Sequence, residues 1–129
     1  MTKSRDSKEH PVVILAEEEV PQRMDIAKHL EAAGFHVLQA ADSDEAQALL
    51  DGRSDVSAFV TDSHLPGQID GFALATLVRE QRPEIAVVLM SGHSDASSGQ
   101  VPPGGRFISK PYLFEQLVPT LRDLIGNTA

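Results

Sequence analysis

The sequence predicts an α/β domain in which a doubly wound parallel sheet of five strands carries helices on both faces. Three observations support that expectation. Five short apolar runs, Val12–Ala16, Phe35–Ala40, Val56–Thr61, Ile85–Met90 and Arg106–Ser109, are rich in β-branched or aromatic residues and have strand length. Three of them are almost continuously apolar, as strands covered on both sides must be. Longer amphipathic segments separate the runs, and strand–helix alternation builds a parallel sheet through right-handed crossovers.

The first ten residues, MTKSRDSKEH, are polar, mixed in charge and without period. They read as a flexible tail ahead of a domain spanning 11–126, with a second short tail at 127–129. In the first helical segment Met24, Ala27, Leu30 and Ala33 recur at helical spacing, and Gly34 supplies the stop. Asp42 stands three residues before Glu45, a capping box that opens a helix through Ala46–Asp51, with Gly52 after it. Asp70 is placed to cap Gly71–Gln81, where Phe72, Leu74, Ala75, Leu77 and Val78 supply a buried face.

The fourth helix of the scheme should lie between Ser91 and Arg106. The stretch GHSDASSGQVPPGG has no apolar stripe, and Pro102-Pro103 would end any helix, so a short or irregular element is expected. Phe114, Leu117, Val118, Leu121, Leu124 and Ile125 mark the last helix, ended by Gly126. Pro119 predicts that this helix starts near Glu115 or Gln116, which puts the proline close to the first turn. The whole pattern is flavodoxin-like, with expected strand order 2-1-3-4-5.

Composition narrows the function. A chain of 129 residues is the size of one domain, and its net charge of −8 argues against a nucleic-acid partner, which requires Lys and Arg on phosphates. Without cysteine there is no disulfide framework, zinc thiolate site or thiol nucleophile. The early apolar run Val12–Ala16 is five residues long and ends in acid, which is neither a signal peptide nor a membrane span. A cytoplasmic protein without a membrane partner is expected.

In such a sheet, ligands sit at the carboxyl ends of the strands. The first run ends in Glu17-Glu18-Glu19, the third in Thr61-Asp62, the fourth in Met90-Ser91 and the fifth in Ser109-Lys110-Pro111. Carboxylates held together stay ionised only beside a cation, and oxygen ligands without Cys select a hard ion such as Mg²⁺, with Mn²⁺ as a substitute. An amine and a hydroxyl facing such an ion suit a transferring phosphoryl group: Lys110 and Ser91 bind its oxygens while the metal holds a third. Asp62, at the end of the central strand, is the natural nucleophile.

The stretches VVILAEEEV, FVTDSHLPGQIDGF, VVLMSGH and FISKPY give the region Pro11–Ile125 its identity. The sequence resembles the receiver domain of two-component response regulators. That resemblance implies an acidic pair at Glu17 and Glu18, a phosphoacceptor at Asp62, the hydroxyl at Ser91 and the lysine at Lys110. It further implies a metal-binding backbone carbonyl at His64, a small residue at Gly92 that leaves the site open, and a cis Lys110–Pro111 bond. Phe107 would be the aromatic that turns inward when Ser91 reorients toward the phosphate. His64 and His93 stand where the family tunes the loss of the phosphoryl group, against a plain reading of both as solvated loop histidines.

The function implied is Mg²⁺-dependent acceptance of a phosphoryl group on Asp62 from a phosphohistidine of a sensor histidine kinase or histidine phosphotransfer protein. Phosphorylation and its reversal are self-catalysed, and they switch a surface for a downstream protein the sequence does not name. With four residues after Ile125, the chain reads as a stand-alone receiver.

One departure from the family is plain. The residue that touches the metal is nearly always aspartate, and here it is Glu18. The extra methylene moves the carboxylate by ~1.5 Å against metal–oxygen bonds of ~2.1 Å, so Mg²⁺ binding is expected to be retained but weakened. Glu19 leaves open which glutamates face the cleft. The glutamates favour one alternative, a pseudo-receiver that binds proteins without phosphorylation; the intact Asp62, Ser91 and Lys110 oppose it. Asp62-Ser63-His64-Leu65-Pro66-Gly67 also fits D-x-H-x-x-G, the cobalamin-presenting loop of related folds, but only 62 residues follow Gly67 and the glutamates and Lys110 stay unexplained. A haloacid-dehalogenase-like phosphatase wants an acid where this chain has His64.

Overall fold

The computed structural model describes residues 10–92 and 101–126. The elements are β1 (Val12–Ala16), α1 (Val20–Ala32), β2 (His36–Ala40), α2 (Ser43–Asp51), β3 (Val56–Asp62), α3 (Gly71–Gln81), β4 (Ala86–Ser91), β5 (Arg106–Ser109) and α4 (Leu113–Gly126). A single 3₁₀ turn, Lys110–Tyr112, joins β5 to α4. All strand pairs are parallel, in the order β2-β1-β3-β4-β5.

Period-two alternation divides the core into two layers. Val13 and Leu15 of β1, Val60 of β3, Val88 of β4 and Ile108 of β5 face α1 and α4, where Ile26, Leu30, Leu117 and Leu121 meet them. Ile14, Phe59, Val87 and Leu89 face the other way, onto Ala46 and Leu50 of α2 and Leu74 and Val78 of α3. Both faces of the central strands are therefore covered, which explains their unbroken apolar runs. No helix among the described residues is long and apolar enough to cross a membrane.

The helix starts follow the predicted caps. Asp42 accepts from the Glu45 N–H at 2.8 Å, and Asp70 accepts from the Ala73 N–H at 2.9 Å. Glu45 reaches back one residue further than a capping box requires, to the Ala41 N–H.

Three expectations need correction. Met24 does not belong to the buried face of α1: it is 47% exposed, and Ile26 takes its place. Helix α4 starts at Leu113, so Pro119 lies inside it. The apolar face of Leu113, Leu117, Val118 and Leu121 holds the first turn in place, while Pro119 and Glu115 are exposed, leaving the unbonded Glu115 carbonyl to water. Finally, Lys110–Pro111 is trans, like every peptide bond among the described residues. Pro111 sits in the opening turn of the 3₁₀ segment, where its fixed φ is suitable and its missing N–H leaves nothing unpaired.

The predicted irregular helix falls largely on 93–100, which together with 1–9 and 127–129 lies outside the described residues. Residues 101–105 form turns leading into β5, closed by the Gly105 N–H on the Pro102 carbonyl at 2.9 Å.

Candidate functional site

The carboxyl ends of β1, β3 and β5 meet at a cleft of about 220 Å³ lined by Glu17, Glu18, Glu19, Gln22, Asp62, His64, Gly92 and Lys110. Glu17 extends β1 by one residue, its N–H donating to Ala40 O at 3.0 Å, and its side chain is turned inward, leaving the residue 2% exposed. Its Oε2 accepts from the Glu19 N–H at 3.1 Å. All three glutamates line the cleft: Glu17 is buried, whereas Glu18 and Glu19 are exposed at the rim. Arg23 of α1 fixes this loop from behind, donating to the Glu17 carbonyl at 2.9 Å and the Glu18 carbonyl at 3.5 Å.

Asp62 ends β3 and is 7% exposed. Its Oδ1 accepts from the His64 N–H at 3.2 Å and its Oδ2 from Lys110 Nζ at 2.6 Å. The loop that follows is held by its glycines. A Cβ on Gly71 would overlap the carbonyl oxygen of Asp62, so the start of α3 approaches the Asp62 backbone as only glycine allows. Gly67, at φ +118°, leaves no room for a side chain against Ser43. Ser43 in turn donates its N–H to Pro66 O at 2.9 Å and accepts the Ile69 N–H at 3.3 Å.

Lys110 enters from the far side of the sheet. Its ammonium donates to Asp62 Oδ2 at 2.6 Å, Gln22 Oε1 at 2.9 Å and Glu17 Oε1 at 3.2 Å. Burial works to lower the pKa of this amine, but the carboxylates of Asp62 and Glu17 outweigh it and the net shift is upward. Glu17 is pushed above the usual carboxyl value, first by burial and then by Asp62 beside it; the Glu19 N–H and Lys110 pull the other way. Two carboxylates thus share one ammonium. No three His, Cys, Asp or Glu side chains among the described residues converge as a metal cluster. The donor set is a close carboxylate pair with oxygen ligands only, incompletely neutralised, which fits a hard cation that keeps several of its waters.

Ser91 is fully buried at the end of β4, paired in register with Ser109. Phe107 is half-buried, packed against the α2/α3 layer of the core opposite Leu89. His64 is exposed at the lip of the cleft. At Gly92 a Cβ would lie 3.6 Å from Lys110 Cδ, an ordinary contact. His93 lies outside the described residues. The structure therefore gathers Glu17, Asp62 and Lys110 into direct contact, and leaves Glu18 at the edge.

Two residues escaped the sequence reading. Gln22 is the third partner of Lys110, and nothing in its local sequence marks it beyond a place in the first turn of α1. Gly71 was visible in the DG pair, but its reason, contact with the Asp62 backbone, is tertiary.

An open five-stranded sheet in this order, with a buried acid–lysine pair at its carboxyl edge, defines a class that comparison with known proteins identifies. The family model for the response regulator receiver domain matches residues 13–122, and the chain belongs to that family, the receiver domains of two-component systems. It is similar to the sensor kinase CckA of Brucella abortus, 28% identical over 127 residues that cover 95% of this chain and 13% of that protein. It is also similar to the response regulator receiver protein CpdR of the same organism, 26% identical over 116 residues, covering 88% of this chain and 95% of that protein. The crystal structure of a response regulator receiver protein from Sinorhizobium medicae superimposes with a TM-score of 0.84 at 26% identity, covering 92% of this chain and 97% of that one. In the sensor kinase, the chain matches one domain-sized segment of a much longer protein.

Proposed function

We propose that the domain accepts a phosphoryl group on Asp62 from a phosphohistidine of a sensor histidine kinase or histidine phosphotransfer protein. The observation that supports this most directly is the buried contact of Asp62 with Lys110, with Glu17 alongside. A carboxylate oxygen of Asp62 forms an O–P bond as the N–P bond of the donor breaks, and the electron pair leaves on the imidazole nitrogen. Lys110 follows the developing charge onto one phosphoryl oxygen, and the Ser91 hydroxyl donates to another.

Glu18, Asp62 and the backbone carbonyl of His64 would hold Mg²⁺, or Mn²⁺ in its place, with Glu17 acting through water. The ion would supply the positive charge that the cleft lacks. Reorientation of Ser91 would let Phe107 turn inward, shifting an equilibrium between two surfaces of the domain for a downstream protein. Attack of water on phosphorus returns the Asp62 carboxylate and inorganic phosphate, a step that His64, at the lip of the cleft, and His93 would tune. A domain that takes its phosphoryl group from such donors would act in the cytoplasm.

Incubation with acetyl phosphate and Mg²⁺ followed by intact mass measurement tests this. The wild type should gain one phosphoryl group, and Asp62→Ala should gain none. A wild type that gains nothing is instead a receiver that binds its partners without phosphorylation.

A further inference from the structure

We infer that Gln22 is a positioning residue that holds the Lys110 ammonium in place while its other two partners change chemically; this rests on the phosphoacceptor reading of Asp62. An ammonium has three N–H donors, and here all three are directed: to Asp62 at 2.6 Å, to Gln22 at 2.9 Å and to Glu17 at 3.2 Å. Two of those acceptors alter during the reaction. Asp62 gives up carboxylate charge when it becomes an acyl phosphate, and the charge around Glu17 would change when a cation enters the cleft. Only the Gln22 carbonyl is the same before and after.

Its placement suits that task. Gln22 lies in the first turn of α1, one residue before Arg23, whose guanidinium ties the turn to the carbonyls of Glu17 and Glu18. The amide is thereby registered to the β1–α1 loop. It is also neutral. A carboxylate at this position would add a third negative charge to a pair that one lysine already serves incompletely, and an apolar side chain would release the ammonium entirely onto Asp62 and Glu17. With Gln22 as the fixed point, Lys110 pivots from the Asp62 oxygen to a phosphoryl oxygen without leaving the cleft.

The test compares Gln22→Met, which keeps length and helix propensity but has no carbonyl, with Gln22→Glu, which keeps the acceptor. The chain has four lysines, so the ¹⁵N signal of the Lys110 ammonium is assignable by its loss in Lys110→Met. In the metal-free wild type and in Gln22→Glu, that signal should be protected from solvent exchange. In Gln22→Met it should broaden, and phosphorylation by acetyl phosphate should slow about five- to tenfold, the scale of the net contribution of one hydrogen bond. The inference is overturned if Gln22→Met keeps a protected signal and a wild-type rate, or if Gln22→Glu loses the signal as Gln22→Met does. Failure of the wild type to take up any phosphoryl group overturns the phosphoacceptor reading itself, and with it the reaction role of Gln22.

Discussion

At the carboxyl end of the sheet a single ammonium meets two carboxylates and an amide inside the protein, whereas at the amino end the ion pairs stand one to one at the surface. Arg53–Asp55 precedes β3, Arg82–Glu84 precedes β4, and Arg106 at the start of β5 pairs with Asp123 near the end of α4. Each of those pairs is neutral, and solvent screens it. The Glu17–Asp62–Lys110 cluster crowds two carboxylates around one ammonium where the effective dielectric is lower, and Glu17 is raised above its ordinary pKa first by burial and then by Asp62. The amino end is built so that charge matters little. The carboxyl end holds an imbalance that favours an incoming cation, at some cost to the stability of the empty domain.

Removing Lys110 should break this contrast most severely. Lys110→Met leaves Glu17 and Asp62 adjacent, buried and uncompensated, and loss of one partner from a buried ionic group costs on the order of 3 kcal/mol. Urea unfolding in EDTA at neutral pH should show that loss, and Mg²⁺ or a lower pH should restore part of it. In the wild type the contribution of Lys110 has the sign of a raised amine. It is fully present below the unfolded value of 10.5 and disappears as pH rises through the higher folded one. A variant as stable as the wild type in EDTA would show that the carboxylates are not in fact crowded.

Glu17→Gln should act in the opposite direction and more gently. With its folded pKa raised above 4.5, Glu17 releases its proton at a higher pH in the folded chain than in the unfolded one. Stability from this group is therefore greatest at low pH and falls as pH rises from 4.5 through the folded value. The neutral amide abolishes that slope, so at pH 7 in EDTA the variant should be more stable by about 1 kcal/mol, a usual scale for one polar substitution. In Mg²⁺ the order should reverse, because the variant lacks one of the carboxylates that would attract and hold the cation. Parallel thermal melts in EDTA and Mg²⁺ decide it, and an unchanged ranking in the two buffers would sink the idea that Glu17 is kept for a cation.

How much of this was legible in the sequence follows the range of the forces involved. The strands were readable because continuous apolar runs report burial on both faces, and the caps at Asp42 and Asp70 because they are local hydrogen bonds three residues apart. The gathering of Glu17, Asp62 and Lys110 could be anticipated from topology alone, since a parallel sheet brings all strand ends to one edge. What failed depended on tertiary contact. Met24 matches the helical period yet points to solvent, because the orientation of α1 on the sheet is set by Ile26 and Leu30. The start of α4 at Leu113 is not legible locally, because the packing of Leu113 outweighs the preference of Pro119 for a first turn. Gln22 carries no motif; only its distance to Lys110 reveals it.

The smallest effect is expected from the pair at the opposite end. Arg106 and Asp123 make a 2.9 Å contact with side chains 47% and 53% exposed, so both ions keep most of their hydration whether paired or not. Holding two long side chains in one geometry offsets much of the remaining attraction. Arg106→Gln should shift unfolding by no more than about 0.5 kcal/mol, and that difference should vanish in 1 M salt, where the screening length falls to ~3 Å. The buried cluster should resist the same salt, because ions do not reach between Lys110 and Asp62. Urea titrations of Arg106→Gln and Lys110→Met at low and high salt therefore give the sharpest form of the contrast. A salt-insensitive loss of several kcal/mol in Arg106→Gln would mean that the amino end, too, depends on its charges.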